Sequence, residues 1–186
     1  LRVTAGLAFW DAGKALIRFV KEAFTSIDAL SKTAERLGLT TEELIGFEHA
    51  ADLAGVSAEE LSLSLTRMSR QLAEAQVVGS EADKMFRRMG LDAQAIAARG
   101  VGGAFVEIAE GISRMASPLD RAAAAIAIFG RGGGGNLINM LMLGRRGLAE
   151  MRHEAELLGL TVAGGAGKSI EEMNDRLTRV AAVFRG

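Results

Sequence analysis

Apolar residues step by three and four along nearly the whole chain, and no segment shows a convincing period of two. Leu61, Leu65, Met68, Leu72 and Ala75 form one such stripe, with Glu59, Glu60, Arg67, Arg70 and Glu74 lying off it. The stepping returns in Phe105, Ile108, Ile112 and Met115, in Leu148, Met151, Ala155 and Leu158, and in Met173, Leu177, Val180 and Phe184. Near the start Trp10, Ile17 and Phe24 recur every seven residues, with Val20, Ile27 and Ala34 between them, in a seam that ends near Leu37 and Gly38. Such spacing puts the side chains on one stripe of a helix, which another helix must cover. The sequence therefore specifies an all-α fold: several short capped helices, bundled or in an extended coiled-coil-like array, with a longer N-terminal helix.

The punctuation between stripes agrees. "LGLTTEEL" (37–44) stops one helix at Gly38 and caps the next with Thr40, and Glu43 closes a capping box. "AGVSAEEL" (54–61) repeats the device with Gly55, Ser57 and Glu60, and "MGLDAQAI" (89–96) does so with Gly90 and Asp92 but no acid three residues on. "SPLD" starts a further helix, with Ser117 as cap and Pro118, the one proline of the chain, at the first helical position, where its missing donor costs nothing. The glycines lie 17 and then 35 residues apart, too uneven for a regular solenoid.

Composition closes off several classes of function. Without cysteine there is no disulfide, thiolate metal site or cysteine nucleophile. The two histidines, His49 and His153, are far apart and have no ligand-spaced companion. A net charge of −1 disfavours a nucleic-acid binder. The apolar opening "LRVTAGLAFWDAGKALIRFV" is interrupted by Asp11, Lys14 and Arg18, so it reads as an amphipathic helix rather than a membrane span or signal peptide. A start at Leu1 suggests a fragment or a processed chain.

Four motifs invite a sharper reading. "VAGGAGKSIEE" looks like a phosphate-binding loop, but the first glycine of that pattern falls on Val162, and a helical pattern precedes it where a strand is needed. A Gly-rich linker followed by a helix with Ser169 as cap and Glu172 as box partner accounts for every residue. "FGRGGGGNLINML" (129–141) offers an anion cradle, yet four consecutive glycines read first as a hinge or tight interhelical link, and Arg131, Arg145 and Arg146 as solvated cations. "TAERLGLTTEELIGFEHAADLAG" (33–55) has helix-turn-helix spacing, but its second helix carries Glu42, Glu43 and Glu48 and no cation to meet phosphate. His49, beside Glu48 and Asp52, reads as a partly buried interhelical residue. No residue is assigned as catalytic, cofactor-binding or metal-ligating, and no cofactor, small-molecule substrate or nucleic-acid partner is expected.

By composition the chain divides into a long amphipathic helix (1–38), a helical bundle segment (39–130), a Gly-linked helical segment (131–163), and a Gly-rich linker with a C-terminal amphipathic helix (164–186). These are expected to form one domain or part of a longer chain.

The ordered phrases "ALSKTAERLGLTTEEL", "HAADLAGVSAEEL", "MGLDAQAIA", "SPLDRAAAAIAIFGRGGGGNLINML", "GRRGLAEMRHEAELLGL" and "MNDRLTRV" resemble the tape-measure proteins of long-tailed bacteriophages and their prophages. The likeness covers about residues 24 to 182, towards the N-terminal side of such chains. It implies a structural role in virion assembly: a mainly helical chain that sets tail tube length and occupies the tube lumen. Its implied partners are tail tube, tail-tip and tail assembly chaperone proteins, with self-association through helical seams. Its implied place is the virion, and the bacterial host cytoplasm during assembly. "GGGGN" and "AGGAGKS" depart from the family pattern. The residues alone leave open a generic helical adaptor or a helix-turn-helix DNA-binding regulator.

Overall fold

The computed structural model describes residues 28–157. The seams of 1–27 and 173–184 and the "VAGGAGKS" stretch lie outside the described residues. Nearly all described residues belong to one compact unit, Ala34–Val162; of the chain's other unit only residues 28–33 are described. Among the described residues there are helices and no strands, so the fold is all-α. Residues 28–37 are helical, and nine helices follow: α1 (Thr41–Leu53), α2 (Ala58–Ala75), α3 (Glu81–Arg88), α4 (Ala93–Ala97), α5 (Gly100–Ser113), α6 (Pro118–Phe129), α7 (Arg131–Asn136), α8 (Ile138–Leu141) and α9 (Gly144–Leu157).

One junction is used three times. After residues 28–37, the Gly38 amide donates to Glu35 O and the Leu39 amide to Ala34 O, the paired bonds of a Schellman stop. Gly55 and Val56 repeat it on Asp52 O and Ala51 O, and Gly90 and Leu91 on Arg87 O and Phe86 O. Each glycine has φ between 72° and 77°, where a Cβ would be strained. The next residue is apolar, and the one after caps the following helix. Thr40 and Ser57 each close a full capping box with Glu43 and Glu60, while Asp92 Oδ1 accepts from the Gln94 and Ala95 amides. Leu39 and Val56 stand one residue before their caps, in the first position of a hydrophobic staple, and both are buried, as are Leu44 and Leu61 in the second position. Three residues thus end one helix, anchor the turn in the core and start the next.

The core gathers on α5, whose Phe105, Ile108 and Ile112 are fully buried. Phe105 stacks at a tilt on Phe47 of α1 (centroids 4.9 Å apart) and meets Phe129 of α6 edge-on at 5.9 Å. Such pairs add about 0.5–1.5 kcal/mol beyond the area they bury. Leu61, Leu65 and Met68 of α2 are also fully buried, as its stripe predicted. Met115, expected on the α5 stripe, lies beyond the end of that helix and is only half-buried.

The four-glycine run, expected as a hinge or tight interhelical link, is a short helix that joins α6 to α8. Gly132 to Gly135 are helical and lie within α7, which runs antiparallel along α2. Three steps fix the register: Arg67 Nη1 donates to Phe129 O beside Gly130 at 3.4 Å, Ser64 faces Gly133, and Asn136 Nδ2 donates to Glu60 Oε1 at 3.0 Å. A Cβ on Gly133 would overlap Ser64 Oγ, and one on Gly134 would lie 2.5–2.6 Å from the backbone of Ala125 and Ile126 in α6. Glycine is required because α2 and α6 approach too closely for any side chain. The segments divided at residue 130 on composition share one core through this contact, with Phe129, Leu137, Met140 and Leu141 all fully buried.

Candidate functional site

The most densely connected polar residues surround the start of α9. Glu107 of α5, largely buried, takes Arg99 on one oxygen and Arg145 of α9 on the other, the latter at 2.7 Å. One turn on, Glu110 accepts the Arg145 backbone N–H at 2.9 Å and pairs with Arg114 at 2.6 Å. A carboxylate from α5 therefore caps the N-terminus of α9 across the helix interface, where the helix dipole favours negative charge. That N–H bond, and then the Arg114 and Arg145 guanidinium groups, hold the Glu110 carboxyl below its ordinary range. Gly144 (φ 60°) makes room, since a Cβ there would lie 2.9 Å from Glu110 Oε2. Every charge in the cluster has a partner within it, so its chemistry is that of a clasp between α5 and α9.

The structure disperses the basic set of Arg131, Arg145 and Arg146. Arg145 is taken up by Glu107, Arg146 pairs with Glu150 on its own helix at 2.9 Å, and Arg131 is exposed at the start of α7. Helix α7 is only six residues long, and the Arg67 guanidinium beside Gly130 donates to Phe129 O.

The 33–55 stretch is indeed a helix, a Gly38 turn and a second helix. That second helix, α1, packs on α9 and buries Leu44, Ile45, Phe47, Ala50 and Ala51. Its exposed positions include Glu42 and Asp52 and no cation. Gly46 permits the contact, because a Cβ there would stand 2.5 Å from Arg152 Cγ of α9. His49 lies in the same interface, partly buried between helices as expected. Its Nε2 is buried without a hydrogen-bond partner, 3.6 Å from Glu154 Oε2, an ion pair only when the imidazole is protonated. Neighbouring Glu48 is half-buried, and desolvation raises its carboxyl above the ordinary range.

One polar residue of consequence escaped sequence reasoning. Asp83 is buried; its Oδ2 accepts the Gly79 amide at 2.8 Å and its Oδ1 the Arg87 Nε at 2.8 Å, while Ser80 caps the Asp83 amide. The Gly79 bond first, and then Arg87, hold the carboxyl low against the cost of burial. The signal was "GSEAD", a Ser with an acid three residues on, the same phrase as the other caps. Asp83 and Arg87 line a shallow polar depression with Asp92 and Gln94. Among the described residues no group of three or more acids and histidines is placed to hold a metal ion.

A further surface feature among the described residues is apolar. Helix α6 has only Asp120 and Arg121 as polar residues after its proline, and it buries Ala124, Ala125, Ile128 and Phe129. Its opposite side shows Leu119 (79% exposed), Ala123, Ile126 (39%) and Ala127.

Fold and surface together define an all-α domain organised by helix junctions and interhelical clasps. No family model, curated protein or solved structure matches the chain. Among the described residues no helix is long and apolar enough to cross a membrane.

Proposed function

We propose that this chain is a structural element of phage tail assembly, a helical segment of the tape-measure type that helps set tail tube length and occupies the tube lumen. The observation that carries the reading is the ordered set of phrases from "ALSKTAERLGLTTEEL" to "GRRGLAEMRHEAELLGL". Three of its phrases build the repeated stop–anchor–cap junction, and the "SPLDRAAAAIAIFGRGGGGNLINML" block builds the α6–α7–α8 unit. The ordered likeness therefore falls on the parts of the chain that decide where helices begin, end and touch. Tail tube, tail-tip and chaperone proteins are its proposed partners, and the virion its proposed location.

The test is the length of the parent reading frame against the tail length of its particle in electron micrographs. A helical ruler gives about 1.5 Å of tail per residue, and agreement supports the reading. A parent protein of roughly this length, from a source that makes no tail, removes it. A helical adaptor then takes first place, favoured by the exposed apolar side of α6.

A further inference from the structure

We propose that α7 is a release strap: residues 130–136 undock from α2 and lose their helix as a unit while α6 and α8 stay folded. The proposal does not rest on the tail-assembly reading. Four of the six residues of α7 are glycine, among the poorest helix formers, and neither end has a side-chain cap. Its hold on α2 brings no apolar side chain of its own. It consists of the exposed Asn136–Glu60 bond and the close approaches of Gly130 to Arg67 and of Gly133 to Ser64.

The docked state also carries a defect. Ser64 Oγ is buried beneath Gly133 without a hydrogen-bond partner, and undocking returns that hydroxyl to water. The limits of the opening unit are set by what flanks it. Phe129 and Leu137 are fully buried on either side, and Gly130, at φ 87° and ψ 164°, forms a corner that only glycine adopts readily. Seven residues that rise roughly 10 Å as helix reach roughly 23 Å when extended, so opening gives α6 and α8 slack of roughly 13 Å. The strap uncovers the flank of α2 from Glu60 to Arg67 without dismantling the core on α5.

Residue-resolved native-state hydrogen exchange on the full chain tests this. The Gly134 and Leu137 amides, bonded to Gly130 O and Gly133 O, are expected to exchange at least about 100-fold faster than Leu65 in α2, Ile128 in α6 and Met142 at the end of α8. Equal protection at these sites overturns the proposal. Gly132 and Gly135 have nothing within 4 Å of an added Cβ, so G132A/G135A acts on helix propensity alone. The pair is expected to slow exchange at Gly134 and Leu137 by about 20-fold, about four- to fivefold for each glycine, with Leu65 unchanged. If exchange at the two strap amides does not slow, the opening is not the melting of α7, and the proposal falls.

Discussion

Helix α2 carries its own reasons to be a helix. Its stripe of Leu61, Leu65, Met68, Leu72 and Ala75 is buried, its charged residues lie off that stripe, and a capping box at Ser57 and Glu60 satisfies its first amides. Helix α7, docked antiparallel along it, has neither stripe nor cap, and its glycines together give up about 4 kcal/mol against alanine in helix propensity. One helix is specified by its own residues and shapes its neighbours. The other is packed where α2 and α6 close on Gly133 and Gly134, two positions that only glycine fits. Helix content alone hides this difference, and substitution exposes it.

The largest effect belongs to the self-specified helix. Leu65→Ala empties a fully buried position in α2 and is expected to cost about 3–4 kcal/mol, read as a lower denaturation midpoint with an unchanged m-value. A loss under about 1 kcal/mol would mean that the stripe does not organise the core. Gly134→Ala comes next, at about 2–3 kcal/mol, because its methyl meets Ala125 O and Ile126 N, backbone atoms that cannot turn aside. In an exposed helix the same change stabilises, so the sign alone decides whether α7 is docked as described. A neutral or stabilising Gly134→Ala would break the comparison.

This contrast also explains what the sequence made legible. The stripes of α2, α5 and α9, the caps of α1, α2 and α6 and the three Gly–apolar–cap junctions are local, and local chemistry can be read from neighbouring residues. The α7 helix was not legible, because its cause lies in Ser64, far off in sequence, and in the backbone of α6. Four glycines in a row look like a hinge until something is packed against them. The clasp at Glu107 and Glu110 was hidden for the same reason: Arg145 is remote in sequence and was read as a solvated cation. His49, expected as a partly buried interhelical residue, does lie between helices, beside Glu154 of α9. Asp83 was within reach, since "GSEAD" repeats a phrase already recognised at Thr40 and Ser57.

A smaller effect separates the two helices at their starts. Ser57→Ala removes the acceptor for the Glu60 amide and is expected to cost about 1 kcal/mol. Glu60 serves both helices, with Oε2 on the α2 cap and Oε1 accepting from Asn136 of α7. Loss of the cap should therefore loosen the end of the strap as well. Hydrogen exchange at Leu137 should speed up in Ser57→Ala more than exchange at Ile128 of α6. Equal change at both sites would show that the cap and the strap are energetically separate.

At neutral pH the smallest effect is electrostatic, and acid brings it out away from the α2–α7 contact. Glu110 and Asp83 have carboxyls held below their ordinary values of 4.5 and 3.8. A depressed folded-state value contributes stability that is fully present above the ordinary value and is lost as pH falls through the folded one. The clasp at the start of α9 and the start of α3 should therefore weaken below about pH 4.5, with the loss deepening towards lower pH. Glu48 works in the opposite sense: its raised carboxyl is disfavoured when charged, so acidification relieves that cost at the α1–α9 interface. Glu81, paired with Lys84, is shifted in the same direction as Glu110 and Asp83. Glu110→Gln should flatten the decline in thermal midpoint between pH 5 and pH 3, and Glu48→Gln should steepen it. If Glu110→Gln left the acid limb unchanged, the carboxylate would not be holding α9 to α5. Glu110 and Glu48 make no hydrogen bond or ion pair with the strap, so the amides of Gly134 and Leu137 should meanwhile keep their protection relative to Leu65 in Glu110→Gln and Glu48→Gln.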